Sequence, residues 1–365
     1  MVTAVLVVAV FCAGIVTLSL SGATAHSRRP PPTLTALARR DARAFLARYV
    51  APDGRVVRRD QGGDTVSEGQ GYALLVAVAI GDRSVFRRVW HWEERNLQLP
   101  SGLFAYHWAH GRVVTRSPAS DADLDTAWAL VLAGARFGDP TYIADGRRVA
   151  RAILADETVT VLGRLELVAG PWARKAPAIV NPSYLSPEAM QALAAAGAGP
   201  SWRLLADNST TLVYSLERAV ATHLPSDWAR IPPTGLAEPS GANGKGRPVY
   251  GLGAQRVPIW FAADCAADGR VVARRTWHAL RSATGAGGRI SYRLNGRPLS
   301  RDLNPVGLVA AAAAADATGH RADGKRLLAR ADHQNTVYRT YYGSAWLALG
   351  RILLDTSWLS RCPPG

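Results

Sequence analysis

About a dozen stretches in which apolar residues recur at helical spacing, cut apart by Gly, Pro and Asp, constrain this chain more than any other feature. The clearest windows are 34–50, 69–80, 83–97, 122–137, 140–155, 187–197, 201–222, 255–267, 270–284, 305–318, 320–331 and 341–355. Apolar positions three and four apart line one face of a helix, and that face must be buried against another element. Stop and start signals sit between the windows: Gly81-Asp82 and Gly138-Asp139-Pro140 each join a C-terminal glycine to an N-capping aspartate, with Pro140 suited to a first helical turn. Thr33 is placed to cap the first helix. Strand-like pieces are short, as at Val113–Thr115 and Arg289–Leu294. The pattern predicts an all-α chain of paired helices.

Hydrophobic residues make up 48% of the 365, enough for a sizeable core. The longest irregular stretch runs from Leu224 to Gly251, through Pro232-Pro233 and Gly235 to Gly246. A segment of this length is either functional, disordered or a domain linker. Helices of similar character flank it, so a single domain over residues 34–360 with a long surface loop is expected.

The chain opens with an apolar run from Val2 to Leu20, followed by Ala23-Thr24-Ala25, a small-x-small pattern that signal peptidases cut. No Lys or Arg precedes the run, so an uncleaved anchor is the rival reading. Residues 1–25 are expected to be a signal peptide or N-terminal anchor, and 26–33 a Pro-rich linker. Either way the remainder is exported, with membrane contact only if the segment stays attached. Cys12 falls inside it, which leaves Cys265 and Cys362 as a candidate disulfide or as two unrelated thiols.

A formal charge of +15 invites a polyanion partner. Only Lys175, Lys245 and Lys325 are lysines, however, and the arginines are scattered through every segment without a basic block interleaved with aromatics. Compositional bias accounts for the charge, and no nucleic-acid partner is expected. No Cys/His cluster has zinc-like spacing, and the acidic run below lacks the Gly and distal Glu of a calcium loop. No cofactor or metal is expected.

Two motifs carry candidate chemistry. In Ser67-Glu68-Gly69-Gln70-Gly71-Tyr72 a carboxylic acid stands in the opening turn of a helix that Ser67 can cap, with the two glycines leaving its approach open. The helix dipole there favours the ionised form, whereas apolar burial would raise its pKa toward that of a general acid. In Ser120-Asp121-Ala122-Asp123-Leu124-Asp125, three alternating aspartates exceed what capping requires, and Asp121 and Asp125 share a face. Such repulsion raises a pKa or draws in an arginine, a cation or a ligand hydroxyl. Aromatic residues surround these motifs; most suit core packing, but Tyr106 and Trp108 precede the acidic run in a loop, where flat rings can stack on sugars.

These residues resemble glycoside hydrolase family 8, the bacterial endoglucanases, xylanases, licheninases and chitosanases. The match is carried by Asp53-Gly54-Arg55-Val56-Val57-Arg58 leading into Thr65 to Tyr72, by Ala119 to Asp123 with Ala127, Ala129-Leu130, Ala133 and Phe137, by Asn181-Pro182-Ser183-Tyr184 with Pro187, and by Arg256-Val257-Pro258. Thr126 stands where the signature usually has Ile or Met. The resemblance implies an (α/α)6 barrel and an inverting hydrolase of β-1,4-linked glucan, working as a monomer on a polysaccharide or oligosaccharide. It implies Glu68 as general acid, Asp121 as the carboxylate that holds the sugar beside the scissile bond, and Tyr72, Tyr106, Trp108, Tyr184 and Arg256 as substrate-binding residues.

One position departs from the family pattern. The endoglucanase branch takes its water-activating base from the Asp of a Tyr-Asp-Ala-x-Arg-Val-Pro motif, and Leu252-Gly253-Ala254-Gln255-Arg256-Val257-Pro258 places Gly253 there. Glu238 in the long loop, Asp121 or Asp123, and Asp264 are the substitute bases that the sequence offers, Glu238 foremost because its loop runs into the altered motif. Alternative readings are a carbohydrate-binding relative that kept the cleft and lost the base, and a chitosanase or xylanase with a relocated base.

Overall fold

A computed structural model describes residues 33–264, 266–283, 288–356 and 358–359. The expected leader, nearly all of the linker and the Cys265–Cys362 pairing lie outside the described residues. No described helix is long and apolar enough to cross a membrane.

Twelve α-helices are present among the described residues: α1 Ala36–Tyr49, α2 Ser67–Ile80, α3 Arg83–Leu97, α4 Ser120–Phe137, α5 Pro140–Asp156, α6 Pro187–Ala195, α7 Ser201–Arg218, α8 Val257–Ala263, α9 Ala267–Ala283, α10 Pro305–Ala317, α11 Arg321–Val337 and α12 Tyr341–Asp355. Their burial alternates along the chain. In α3 the buried positions are Phe86, Val89, Trp90, Trp92, Glu93 and Leu97, a single stripe facing inward. In α2, by contrast, every residue except Glu68 and Ile80 is buried, and all seven residues of α8 are. A helix enclosed on all sides must lie inside a layer of others.

Packing order confirms the two layers. The even-numbered helices pack in sequence, α2 on α4, α4 on α6, α6 on α8, α8 on α10, α10 on α12, and α12 back on α2, which closes a ring. The odd-numbered helices lie outside: α1 packs on α12 and α2, α3 on α2, α5 on α4 and α6, α7 on α6, α9 on α8 and α10, and α11 on α10 and α12. This is the expected (α/α)6 barrel. Small residues let the inner wall close: a Cβ on Gly350 would come 2.3 Å from Val309 Cγ1, and one on Gly71 would come 3.0 Å from the Cβ of Asp125. Edge-to-face rings plug the axis, with Trp260 of α8 between Trp128 of α4 (6.0 Å) and Trp346 of α12 (5.1 Å), and Tyr72 of α2 on Trp346 (5.4 Å).

Among the described residues ten short strands decorate the loops: β1 Thr65–Val66, β2 His107–Ala109 and β3 Arg112–Thr115 form one sheet, β4 Thr158–Val161 and β5 Arg164–Leu167 a hairpin, β6 Ala178–Val180, β7 Trp228–Ile231 and β8 Glu238–Ser240 a second three-stranded sheet, and β9 Val249–Tyr250 pairs with β10 Tyr292–Arg293. The stretch read as one long loop is therefore largely pinned by antiparallel pairing, Trp228 opposite Ser240 and Arg230 opposite Glu238. The first helix is capped by Thr35, whose hydroxyl accepts from Ala38 N (3.1 Å), not by Thr33.

Candidate active site

The site is assembled where inner helices begin. Glu68 is the second residue of α2, Asp121 the second of α4, Arg256 the residue before α8, and Tyr341 and Tyr342 the first two of α12. Ser67 does not cap α2 as expected; Val66 holds the cap position without a side-chain bond, and the Ser67 hydroxyl is buried and unpartnered. Nor do the glycines leave the approach open. A Cβ on Gly69 would stand 2.6 Å from the Tyr341 hydroxyl, and Gly71 is where α4 crosses. They allow close packing behind Glu68. Gln70, between them, is fully buried and fixes the preceding turn by accepting from Val56 N at 2.6 Å and donating to the carbonyls of Gly54 and Val89.

Arg256 organises the floor. Its Nη1 donates to Asp121 Oδ2 and to Tyr72 OH, both at 2.8 Å, and its Nη2 donates to Ser183 Oγ at 2.5 Å. Its guanidinium carbon lies 5.3 Å from the centre of the Tyr184 ring. Tyr72 and Ser183 satisfy further donors of this deep charge pair, which offsets part of the cost of burying it, while Arg256 Nε is buried without a partner among the described residues. Asp121 has its other oxygen, Oδ1, on the N–H of Ala122 at 3.0 Å. Burial raises the Asp121 carboxyl above its ordinary value, with Arg256 opposing.

Glu68 combines a buried, unpartnered oxygen, Oε2, with partial exposure of the residue. Burial, reinforced by the negative charge of Asp121 and opposed by Arg256 and Arg58, pushes its pKa from 4.5 to about 7. Desolvation has outweighed the helix dipole, so a carboxylic acid is kept protonated near neutrality. Tyr106 faces it, and the Glu68 charge is the leading cause that pushes that phenol up to about 12.

A second set of side chains lines the same end. Tyr184, Trp228 and Trp172 form a chain of rings, with centroids 6.3 Å apart between Tyr184 and Trp228 and 6.2 Å between Trp228 and Trp172. Trp172 is 44% exposed, so its face is available to a flat apolar surface. On the β1–β3 side, Trp108 is held by Trp92 at 5.5 Å and by the Arg55 guanidinium at 4.7 Å. Asp64 pairs with both Arg58 (2.6 Å) and His107 (2.7 Å).

The model of glycosyl hydrolases family 8 matches residues 32–274. The chain belongs to this family. It is 36% identical to the "Probable endoglucanase" of Novacetimonas hansenii over 60% of its own length and 64% of that protein's, and 30% identical to the endoglucanase of Cellulomonas uda over 60% and 61%. The aligned part is thus less than two thirds of either relative. Among solved structures, the endo-β-1,4-glucanase CMCax of Acetobacter xylinum superposes with a TM-score of 0.72 at 26% identity, covering 87% of this chain and 97% of that one. A β-1,3-1,4-glucanase of Paenibacillus sp. X4, at 18% identity, shares the fold with a TM-score of 0.77 over 86% and 90%.

In this family-8 barrel, Glu68, Tyr72, Tyr106, Asp121, Tyr184 and Arg256 come together, with Trp108 at the sheet beside them. Of the substitute bases, Asp121 is part of this cluster, and Glu238, Asp123 and Asp264 do not join it. Glu238 lies on β8, 45% exposed, tied to Arg230 at 2.8 Å. Asp123 points to the other side of α4, fully buried, its Oδ1 on Phe104 N at 2.8 Å and its neighbours Glu157 and Glu93 equally enclosed. Asp264 follows the last residue of α8, so a helix of seven residues, about 10 Å long, separates it from Arg256. Asp125, which shares the Asp121 face, is buried against Gly71, and desolvation raises its pKa well above 3.8.

The sequence reading overlooked Tyr342, Trp228 and Asp227, and it quoted Ser183 within a motif without giving it a role. Tyr342 donates to the Leu252 carbonyl at 3.0 Å. Asp227 lies at the foot of β7, its Oδ1 accepting from Ala254 N (2.7 Å) and Gly251 N (2.9 Å). The readable signal was Gly251-Leu252-Gly253, since a Cβ on Gly251 would come 2.2 Å from Asp227 Oδ2 and one on Gly253 3.2 Å from Oδ1.

Proposed function

We propose that this chain is an inverting endo-β-1,4-glucanase with Glu68 as its general acid. The observation that carries the reading is the Glu68 carboxyl, held protonated to about pH 7 at the mouth of the barrel with one oxygen unpartnered. Enzymes of this family invert the anomeric configuration, and the relatives named above bear endoglucanase names. Leaving-group departure from a glucoside needs a proton on the glycosidic oxygen, and an acid that is still protonated near neutrality can deliver it. Asp121, fixed by Arg256, supplies negative charge and a hydrogen-bond acceptor for sugar hydroxyls next to the reacting carbon. Tyr184, Trp228 and Trp172 offer stacking surface for successive glucose rings on one side, and Tyr106 with Trp108 on the other. β-Linked glucan polysaccharide or oligosaccharide is the substrate, and the apolar N-terminal run supports export to meet it.

The test is hydrolysis of soluble carboxymethylcellulose by purified protein, with the product anomer read by NMR. Release of the α-anomer by the wild type, lost by more than about a hundredfold in Glu68→Gln with unchanged circular dichroism, is the expected outcome. An inactive wild type, or an active Glu68→Gln, sinks the reading.

A further inference from the structure

Inversion needs a second carboxylate, on the far side of the sugar from the acid, with an oxygen free to take a proton from water. Most acids around the cleft fail one of these conditions. Asp121 has both oxygens engaged, by Arg256 and by Ala122 N. Asp64 is shared between Arg58 and His107. Asp125 and Asp123 are enclosed in the wall, 3% and 0% exposed, out of reach of a water in the cleft; burial also raises the Asp227 carboxyl, but that residue keeps part of its surface.

Asp227 meets the conditions. Its Oδ1 is fastened by two backbone N–H groups, whereas Oδ2 accepts no hydrogen bond among the described residues and the residue is only partly buried. The segment that fastens it leads into Arg256 and α8. In the ring α2-α4-α6-α8-α10-α12, α8 stands three places from α2 in either direction, so this segment begins the helix diametrically across from the one bearing Glu68. Burial raises the Tyr342 phenol, with Arg256 opposing and Asp121, Asp227 and Glu68 reinforcing, and its hydroxyl donates to the Leu252 carbonyl within the Gly251–Gly253 segment that fastens Asp227. Trp228, the next residue after Asp227, belongs to the ring platform. Gly253 keeps the space beside this carboxylate free of a side chain, since a Cβ there would start 3.2 Å from Asp227 Oδ1 and 3.5 Å from Ser183 Oγ.

We infer that Asp227 is the general base, its Oδ2 taking the proton of the water that attacks the anomeric carbon. As the water oxygen bonds to that carbon, the bond to the leaving oxygen breaks, and Glu68 gives its proton to that oxygen. One proton is taken up at Asp227 as another leaves Glu68, so the pair ends one turnover with its protons exchanged and resets through solvent. This assignment rests on the glucanase reading and identifies the missing half of its machinery.

Asp227→Asn is the test, because an asparagine oxygen can still accept from Gly251 and Ala254 and the seat is kept. The expected result is a fall of about 10²–10⁴-fold in kcat at unchanged thermal stability, with partial recovery in sodium azide and formation of an α-glycosyl azide. Substrates with a nitrophenolate leaving group should rescue Glu68→Gln but not Asp227→Asn. A second variant, Asp227→Asn with Gly253→Asp, returns a carboxylate to the vacated space and should regain activity. Wild-type activity with Asp227→Asn within about threefold of it overturns the assignment and leaves the glucanase reading standing. A folded Asp227→Asn that neither azide nor Gly253→Asp rescues also overturns it. A wild type with no hydrolysis removes the underlying reading instead.

Discussion

Arg256 Nη1 and Asp121 Oδ2 are 2.8 Å apart, with the two side chains only 5% and 4% exposed. A pair this deep is costly to break from one side, since the surviving charge has no water to turn to. Arg256→Met should lower unfolding free energy by about 3–5 kcal/mol in urea titrations. Pairing it with Asp121→Asn should cost clearly less than the sum of the single changes, because the second substitution removes the stranded carboxylate. Additive losses would show that the two residues act independently.

The position of Glu68 fixes a pH dependence of both activity and stability. Its pKa stands at about 7 when folded, against 4.5 ordinarily, so the acid is active while protonated and kcat/KM should fall as pH rises through about 7. The stability sign follows from the same shift. A carboxyl whose folded pKa is raised favours folding fully below pH 4.5, and that contribution is lost as pH climbs to about 7. Glu68→Gln should therefore be the more stable protein at pH 7.5, by about 1–3 kcal/mol, and should lose that advantage at pH 4. Equal stabilities at both pH values would contradict the burial argument.

The helices themselves were legible from their apolar spacing, but the barrel was read only from the family resemblance, and its two layers appear in the fold, where α2 is enclosed on all sides and α3 on one stripe. Glu68, Asp121 and Arg256 were legible because each stands at a helix start within a recognisable motif. What the chain did not disclose was partnership across distance. Ser183 reaches Arg256 over 73 positions and Tyr72 reaches it over 184, and no local pattern records such contacts. Asp227 escaped notice because a lone Asp before a Trp looks like a turn residue; only the folded chain sets it against Gly251 and Gly253. The long loop hid short strands for a related reason, since β7 and β8 are stabilised by pairing with each other and with β6 rather than by their own sequence.

Gly69 gives a sharper test of the packing behind the acid. A methyl there would meet the Tyr341 hydroxyl at 2.6 Å, and that ring is itself held between Tyr49 (5.7 Å) and Phe45 (6.3 Å). Gly69→Ala is favoured by helix propensity, yet overpacking should win and destabilise by about 1–3 kcal/mol. The displaced ring also borders Glu68, so kcat should fall with the melting temperature. A stabilised variant would mean that Tyr341 has room to move.

Trp172 separates substrate contact from folding. With 44% of its surface exposed and its ring 6.2 Å from Trp228, it closes the platform on the solvent side while contributing little to the core. Loss of one stacked ring is worth about 0.5–1.5 kcal/mol, so Trp172→Ala should raise KM for cello-oligosaccharides by about threefold to tenfold. The melting temperature and the kcat on activated short substrates should hardly move, because Glu68 and the Arg256 network are untouched. The same platform predicts a length dependence. Substrates too short to reach Trp172 should be hydrolysed equally by wild type and variant, whereas longer ones should discriminate between them. A KM change of equal size on every chain length would place the defect at the reacting bond and take Trp172 out of the substrate path.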